Sequence, residues 1–165
     1  MRTPLKSCTL EQCQLWLDAG YERVTLARPW PDAPTSHDLL LRLPHGNRLL
    51  FQTTAAPDGS DHFSFLWFVD PGTGTTCDLA HLTRETINGA LRPKDRKRQP
   101  LVYPAFAGGG VVFALSYEGA TAFESVPTVQ DDLGLPAFVS WEVSSGVVWD
   151  HSSGECFLVS NGSTL

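Results

Sequence analysis

Apolar residues fall in short runs along this chain, filled with valine, phenylalanine, tryptophan and leucine and closed by a glycine or proline. With 14 Gly and 12 Pro in 165 residues, that punctuation predicts strands and turns relieved by two or three helices. The clearest helix is "LEQCQLWLDAG", residues 10–20. Thr9 precedes it, Gln12 follows three residues later at capping-box spacing, and Gly20 can take the left-handed stop. Leu10, Cys13 and Leu17 would share its buried face. A second helix is expected over "LAHLTRETINGA", residues 79–90, with Asp78 as its cap and Leu79, Leu82 and Ile87 or Ala90 turned inward.

The strands follow from β-branched and aromatic content. "RLLFQTT" and "FSFLWFVDPGTG" read as two strands joined by the polar "AAPDGSD". In the second of them Phe63, Phe65 and Trp67 line one face and Leu66 and Phe68 the other, so it should be covered on both sides. Near the end of the sequence "FVSWEVSSGVVWD" and "ECFLVS" flank "HSSG", which predicts a hairpin with Val139, Trp141 and Val143 on one face. The remaining run, "FAGGGVVFALSYEGATAFESVP" (residues 106–127), has period two after its glycines: Val111, Phe113, Leu115 and Tyr117 against Val112, Ala114, Ser116 and Glu118.

The glycine triplet raises a choice between a phosphate cradle and a bend. A P-loop needs a lysine and a hydroxyl after its last glycine, and here Gly110 is followed by Val111, Val112 and Phe113. A dinucleotide fingerprint should open a helix, whereas these glycines lead into a strand. Gly108 to Gly110 are therefore backbone that passes close to a neighbour or takes positive φ.

Charge and chemistry narrow the classes further. Twelve basic against 18 acidic residues give a net charge of −6, the wrong sign for a dedicated nucleic-acid binder. No run of 18 apolar residues is present, and "MRTPLKSCTL" lacks the apolar centre of a signal peptide, so the expectation is a soluble, cytoplasmic protein without a membrane segment. Five basic residues in "RPKDRKRQP", residues 92–100, read as a solvated loop before they read as a docking patch for an acidic partner. Cys8, Cys13, Cys77 and Cys156 and the five histidines show no metal-ligand spacing. Without repeats, residues 1–165 read as one α+β domain.

Two stretches carry a resemblance. Pro104, Phe106, Gly108, Gly109, Ser116, Tyr117, Glu118, Phe123, Glu124 and Pro127, then Leu135, Pro136, Asp150 and His151, stand in the order of a motif string of the chorismate-using amidotransferase synthases. The string resembles the N-terminal domain of their component I. "FESVP" and the Asp-His hairpin look closer to aminodeoxychorismate synthase component I, of the 4-aminobenzoate and folate branch, than to anthranilate synthase component I of tryptophan synthesis. Upstream, "GYERVTLARPWPDAPTSHDLLLRLPHGNRLLFQTT" is similar to the family's opening strand and helix before a Leu-Leu pair, and "HFSFLWFVDP" to its Arg-Tyr-Ser segment, so the likeness covers nearly the whole chain.

The resemblance implies mixed antiparallel sheets packed face to face with flanking helices, the N-terminal portion of an α/β/β/α layered fold. It implies a non-catalytic domain packed beside a chorismate-binding catalytic domain that carries the magnesium, with a glutamine amidotransferase subunit as a further partner. No cofactor or metal is assigned to this chain, and no activity is expected of it alone. A tryptophan-type pocket would draw on Leu50, Phe51, Gln52, His62, Phe63 and Ser64, while Gly108, Gly109, Tyr117, Glu118, Phe123 and Glu124 belong to the structural motif. Departures bear on that pocket: the family's Leu-Leu-x-Ser is Leu49-Leu50-Phe51-Gln52 here, and its Arg is His62. Glu118, Glu124 and His151 read as exposed or turn residues before they read as a general base. A stand-alone small-molecule-binding module of the same fold is the alternative. Sheet surface left open by the missing half would favour a homodimer.

Overall fold

A computed structural model describes residues 9–21, 24–44, 48–52, 62–69, 72, 74–91, 109–125, 127 and 134–162. Among them the chain is a mixed α+β protein with seven strands in an antiparallel sheet and three α-helices. It divides into two compact units: Met1–Val69, Asp95–Gly110 and Val143–Leu165 form the first, and Asp70–Lys94 and Val111–Glu142 the second.

The first unit opens with α1 (Leu10–Asp18). Thr9 and Gln12 close the capping box from both sides, the Thr9 hydroxyl accepting from the Gln12 amide at 3.2 Å and the Gln12 carbonyl from the Thr9 amide at 3.2 Å. Gly20 takes φ +80° as the left-handed stop. Of the three residues expected inward, Cys13 is buried and Leu17 half-buried, but Leu10 is 61% exposed. As the first residue of the helix, Leu10 has no preceding turn to lean on, so period alone overstated its burial.

Strands β1 (Val24–Pro29), β2 (Arg48–Gln52), β3 (Phe63–Val69) and β7 (Glu155–Gly162), with residues 143–150 of β6 (Phe138–Asp150), pair in the order β1-β7-β6-β3-β2. The β6–β7 hairpin turns through residues 151–154, with Gly154 at φ +74°. β3 lies between β6 and β2, and its residues are buried on both faces except Phe68. Cross-strand partners show what each face holds. Leu50, Leu66 and Val147 stand opposite one another in turn, as do Gln52, Ser64, Trp149 and Cys156. This face packs against Trp30, Ala33 and the helix α2 (Ser36–Arg42) through Leu39 and Leu40. The other face carries Phe63, Phe65, Trp67, Val148, Phe157 and Val159, all buried, with the Phe65 and Trp67 rings stacked at 6.4 Å. Gly109 takes φ +69°, and a Cβ there would lie 2.5 Å from the Val143 carbonyl oxygen, so close approach and positive φ coincide. Gly108 lies outside the described residues.

In the second unit β4 (Thr75–Cys77) and residues 111–115 of β5 (Gly110–Leu115) each pair with β6. Helix α3 (Arg84–Leu91) packs Ile87, with Leu82, on Ala137 and the fully buried Phe138. The helix expected to start after Asp78 begins later. Asp78 caps a single 3-10 turn, Leu79–His81, and the Thr83 hydroxyl accepts from the Thr86 amide at the start of α3. Two cap residues five positions apart compete, and the turn between them leaves Leu79 exposed. No helix among the described residues is long and apolar enough to cross a membrane.

Candidate functional site

The polar residues of the first unit gather at one end of the face that α2 covers. β2 and β3 pair so that Gln52 stands opposite Ser64, and β3 and β6 pair so that Ser64 stands opposite Trp149. Gln52 donates from its side-chain amide to the Ser36 hydroxyl at 2.8 Å, and the Trp149 indole N–H donates to the Pro34 carbonyl at 2.9 Å. Ser36 sits where it does because Thr35 caps α2, its hydroxyl accepting from the Asp38 amide at 3.1 Å. The Ser64 hydroxyl lies 2.7 Å from Nε2 of His151. His151 opens the β6–β7 turn, its backbone N–H donates to the His62 carbonyl at 2.9 Å, and the two imidazole rings lie 4.4 Å apart.

Electrostatics at this cluster oppose a charged imidazole. Burial, then the neighbouring His62, lowers the His151 pKa below its ordinary value, against a smaller raising effect from Asp150. The Asp150 carboxylate is also committed to the turn, accepting from the Ser152 and Ser153 amides at 2.9 and 3.2 Å. A serine hydroxyl on a histidine nitrogen is the start of a nucleophilic pair. Ser64, however, is completely buried, so no acyl group can reach its oxygen, and the pair satisfies two polar groups in the core edge.

The six residues expected around a pocket are divided by strand geometry. Leu50, Gln52 and Ser64 share the α2-covered face; Phe51, 44% exposed, and the buried Phe63 belong to the opposite one. His62 precedes β3 and reaches the cluster through His151. Ser36 joins it without any signal in the sequence, since 16 positions separate it from Gln52 and no motif links them. His151, read from the sequence as a turn residue, sits in the turn and also contacts Ser64.

The motif residues of the second unit do not form a comparable cluster. Tyr117 is 67% exposed and Glu124 is exposed, while the Arg84 guanidinium lies 5.5 Å from the centroid of the Phe123 ring. Glu118 begins a 3-10 segment, Glu118–Ala122, and is half-buried. Among the described residues no group of three or more His, Cys, Asp or Glu is placed to hold a metal. No known protein family, curated protein or solved structure matches this chain.

Proposed function

We propose that this chain acts as the non-catalytic N-terminal domain of a chorismate-using amidotransferase synthase component I, of the 4-aminobenzoate branch. Its role is to pack beside a chorismate-binding catalytic domain, which holds the magnesium, and a glutamine amidotransferase subunit supplies ammonia to that assembly. The layering expected for such a domain is part of the same proposal. One observation supports the reading: of the six residues that the resemblance assigns to a pocket, Leu50, Gln52 and Ser64 share one sheet face beneath α2, while Phe51 and Phe63 lie on the other. The order strand, helix, Leu-Leu strand in β1, α2 and β2 also agrees with the resemblance.

The polar atoms of this cluster are largely spent on one another. A tryptophan ammonium group needs acceptors, and leaving that charge unmet in a buried site costs several kcal/mol, more than an unmet neutral amide. Gln52 offers one carbonyl oxygen, Phe51 turns to the other face, and Ser64 is held by His151. This favours a scaffold over an amino-acid sensor, whether in the folate branch or in anthranilate synthesis.

The test is complementation. The chain, mixed with a separately expressed chorismate-binding half, chorismate, magnesium and ammonia, is expected to raise formation of the aminated product. Absence of any association between the two proteins refutes the scaffold role. Calorimetry with L-tryptophan is expected to give no heat at millimolar ligand; saturable binding would favour the stand-alone binding module instead.

A further inference from the structure

His62 and His151 are far apart in the sequence, so no spacing announces them, but the register of β3 on β6 brings them together. Phe63 stands opposite Asp150, which puts His62 directly opposite His151 just past the ends of both strands. The His151 amide donates to the His62 carbonyl at 2.9 Å and closes that pair. Alternate residues of a strand share a face, so both imidazoles belong to the face that carries Ser64 and Trp149. The ring centroids are 4.4 Å apart and the planes are tilted by 36°. His151 is exposed and His62 half-buried, so an ion in solvent has access to them.

That separation suits a chelate. A metal about 2.0–2.1 Å from a ring nitrogen lies roughly 3.2 Å from the centroid of that ring, so two imidazoles at right angles around one ion have centroids about 4.5 Å apart. Right angles belong to the tetragonal arrangement of copper(II) and nickel(II), whereas a tetrahedral ion would spread the centroids to about 5.2 Å. We propose that His62 and His151 together bind a divalent cation of the copper(II) type, with Ser64 orienting the His151 ring.

The Ser64 hydroxyl occupies Nε2 of His151 at 2.7 Å, so the ion is bound through Nδ1. Metal binding then selects the tautomer whose Nε2–H donates to the serine, the arrangement in which a metal-bound histidine uses its second nitrogen to fix its ring. Ser64 is fully buried between β2 and β6, so this partner holds its place. A ligating imidazole must be neutral, and burial together with His62 keeps the His151 pKa below its ordinary value. The Asp150 carboxylate stays with the Ser152 and Ser153 amides. Imidazole nitrogens favour copper, nickel and zinc over magnesium and calcium, which take oxygen ligands. An ion held by two imidazoles exchanges readily, unlike one closed in by four protein ligands. While bound it ties the start of β3 to the β6–β7 turn, and occupancy stabilises the fold.

The melting temperature of the full chain should rise with copper(II), less with zinc and not with magnesium. At substoichiometric copper(II), paramagnetic broadening in the NMR spectrum of the wild-type chain should reach the ring protons of His62 and His151 before those of His37, His45 and His81, a readout that needs no variant. By calorimetry, His62→Gln and His151→Gln should each lower copper affinity on the order of tenfold or more, and Ser64→Ala by roughly tenfold, while His81→Gln leaves it unchanged. Absence of binding at millimolar copper(II) overturns the proposal. So does broadening that begins at another histidine, an affinity that both His62→Gln and His151→Gln leave intact, or tighter binding of zinc than of copper.

Discussion

Replacing Gly109 with alanine tests whether the glycine triplet is shaped by the fold around it. Gly109 sits at φ +69°, where an L side chain costs about 1–2 kcal/mol. Its Cβ would also stand 2.5 Å from the Val143 carbonyl oxygen and 3.2 Å from Nδ2 of Asn161. The first of these is backbone in the middle of β6. The second donates to the Ser144 carbonyl at 3.0 Å, and Oδ1 of the same Asn161 accepts from the Thr25 hydroxyl at 2.5 Å. Neither can swing aside freely, so relief requires strand displacement, and such overpacking costs about 1–3 kcal/mol more. The total of about 2–5 kcal/mol is a large share of a typical 5–15 kcal/mol stability. At about 2–4 °C per kcal/mol for a chain of this size, the melting temperature should fall by roughly 4–20 °C. Two controls separate the terms. Gly154→Ala keeps the positive φ (+74°) with nothing within 4 Å of the new methyl, and should cost only about 1–2 kcal/mol. Gly89→Ala lies in α3 with open space around it and should stabilise by about 0.4–1 kcal/mol. Urea unfolding followed by circular dichroism ranks the three. If Gly109→Ala costs no more than Gly154→Ala, the close approach to β6 is not a constraint and the reasoning fails.

Three further outcomes follow from the same geometry. His151 titrates below its ordinary value in the folded state, so on acidification the unfolded chain takes up the proton first. Stability is full above about pH 6.5 and falls as pH drops through the lower folded value; urea midpoints between pH 7.5 and 5 should decline, and His151→Gln should flatten the decline. Burial pushes the Cys156 thiol up to about 11, so at pH 8 an aromatic disulfide reagent should label the half-buried Cys77 well before Cys156; equal rates would contradict the packing of β7. Thr9→Ala removes one half of the capping box and should cost about 0.5–2 kcal/mol by thermal melting, with a smaller loss for Thr9→Ser.

Local chemistry was legible in the sequence wherever the deciding partners are neighbours along the chain. The Thr9–Gln12 box, the Gly20 stop, the β6–β7 hairpin and the two apolar faces of β3 could all be read because caps, turns and alternation act over a few residues. The reading failed where a second cap went unread: Asp78, taken from the sequence as the helix start, caps only a 3-10 turn, and Thr83 caps α3. At the candidate site the sequence supplied the residue types but not their sorting. Phe51 is adjacent to Gln52 in sequence, yet a strand sends them to opposite faces, and Ser36 joins Gln52 only because α2 covers one face of the sheet.

By itself, the sequence determined that residues 110–115 form an uncharged alternating strand after a glycine bend, because period and backbone freedom are properties of the local chain. Tertiary structure decided what that strand pairs with. The strand pairs with β6, and just past its end the Ser116 amide donates to the Ala137 carbonyl, a segment more than twenty residues away. It decided equally that Ser64 is a buried partner of His151, since only the register of β3 on β6 brings a strand serine to a turn histidine.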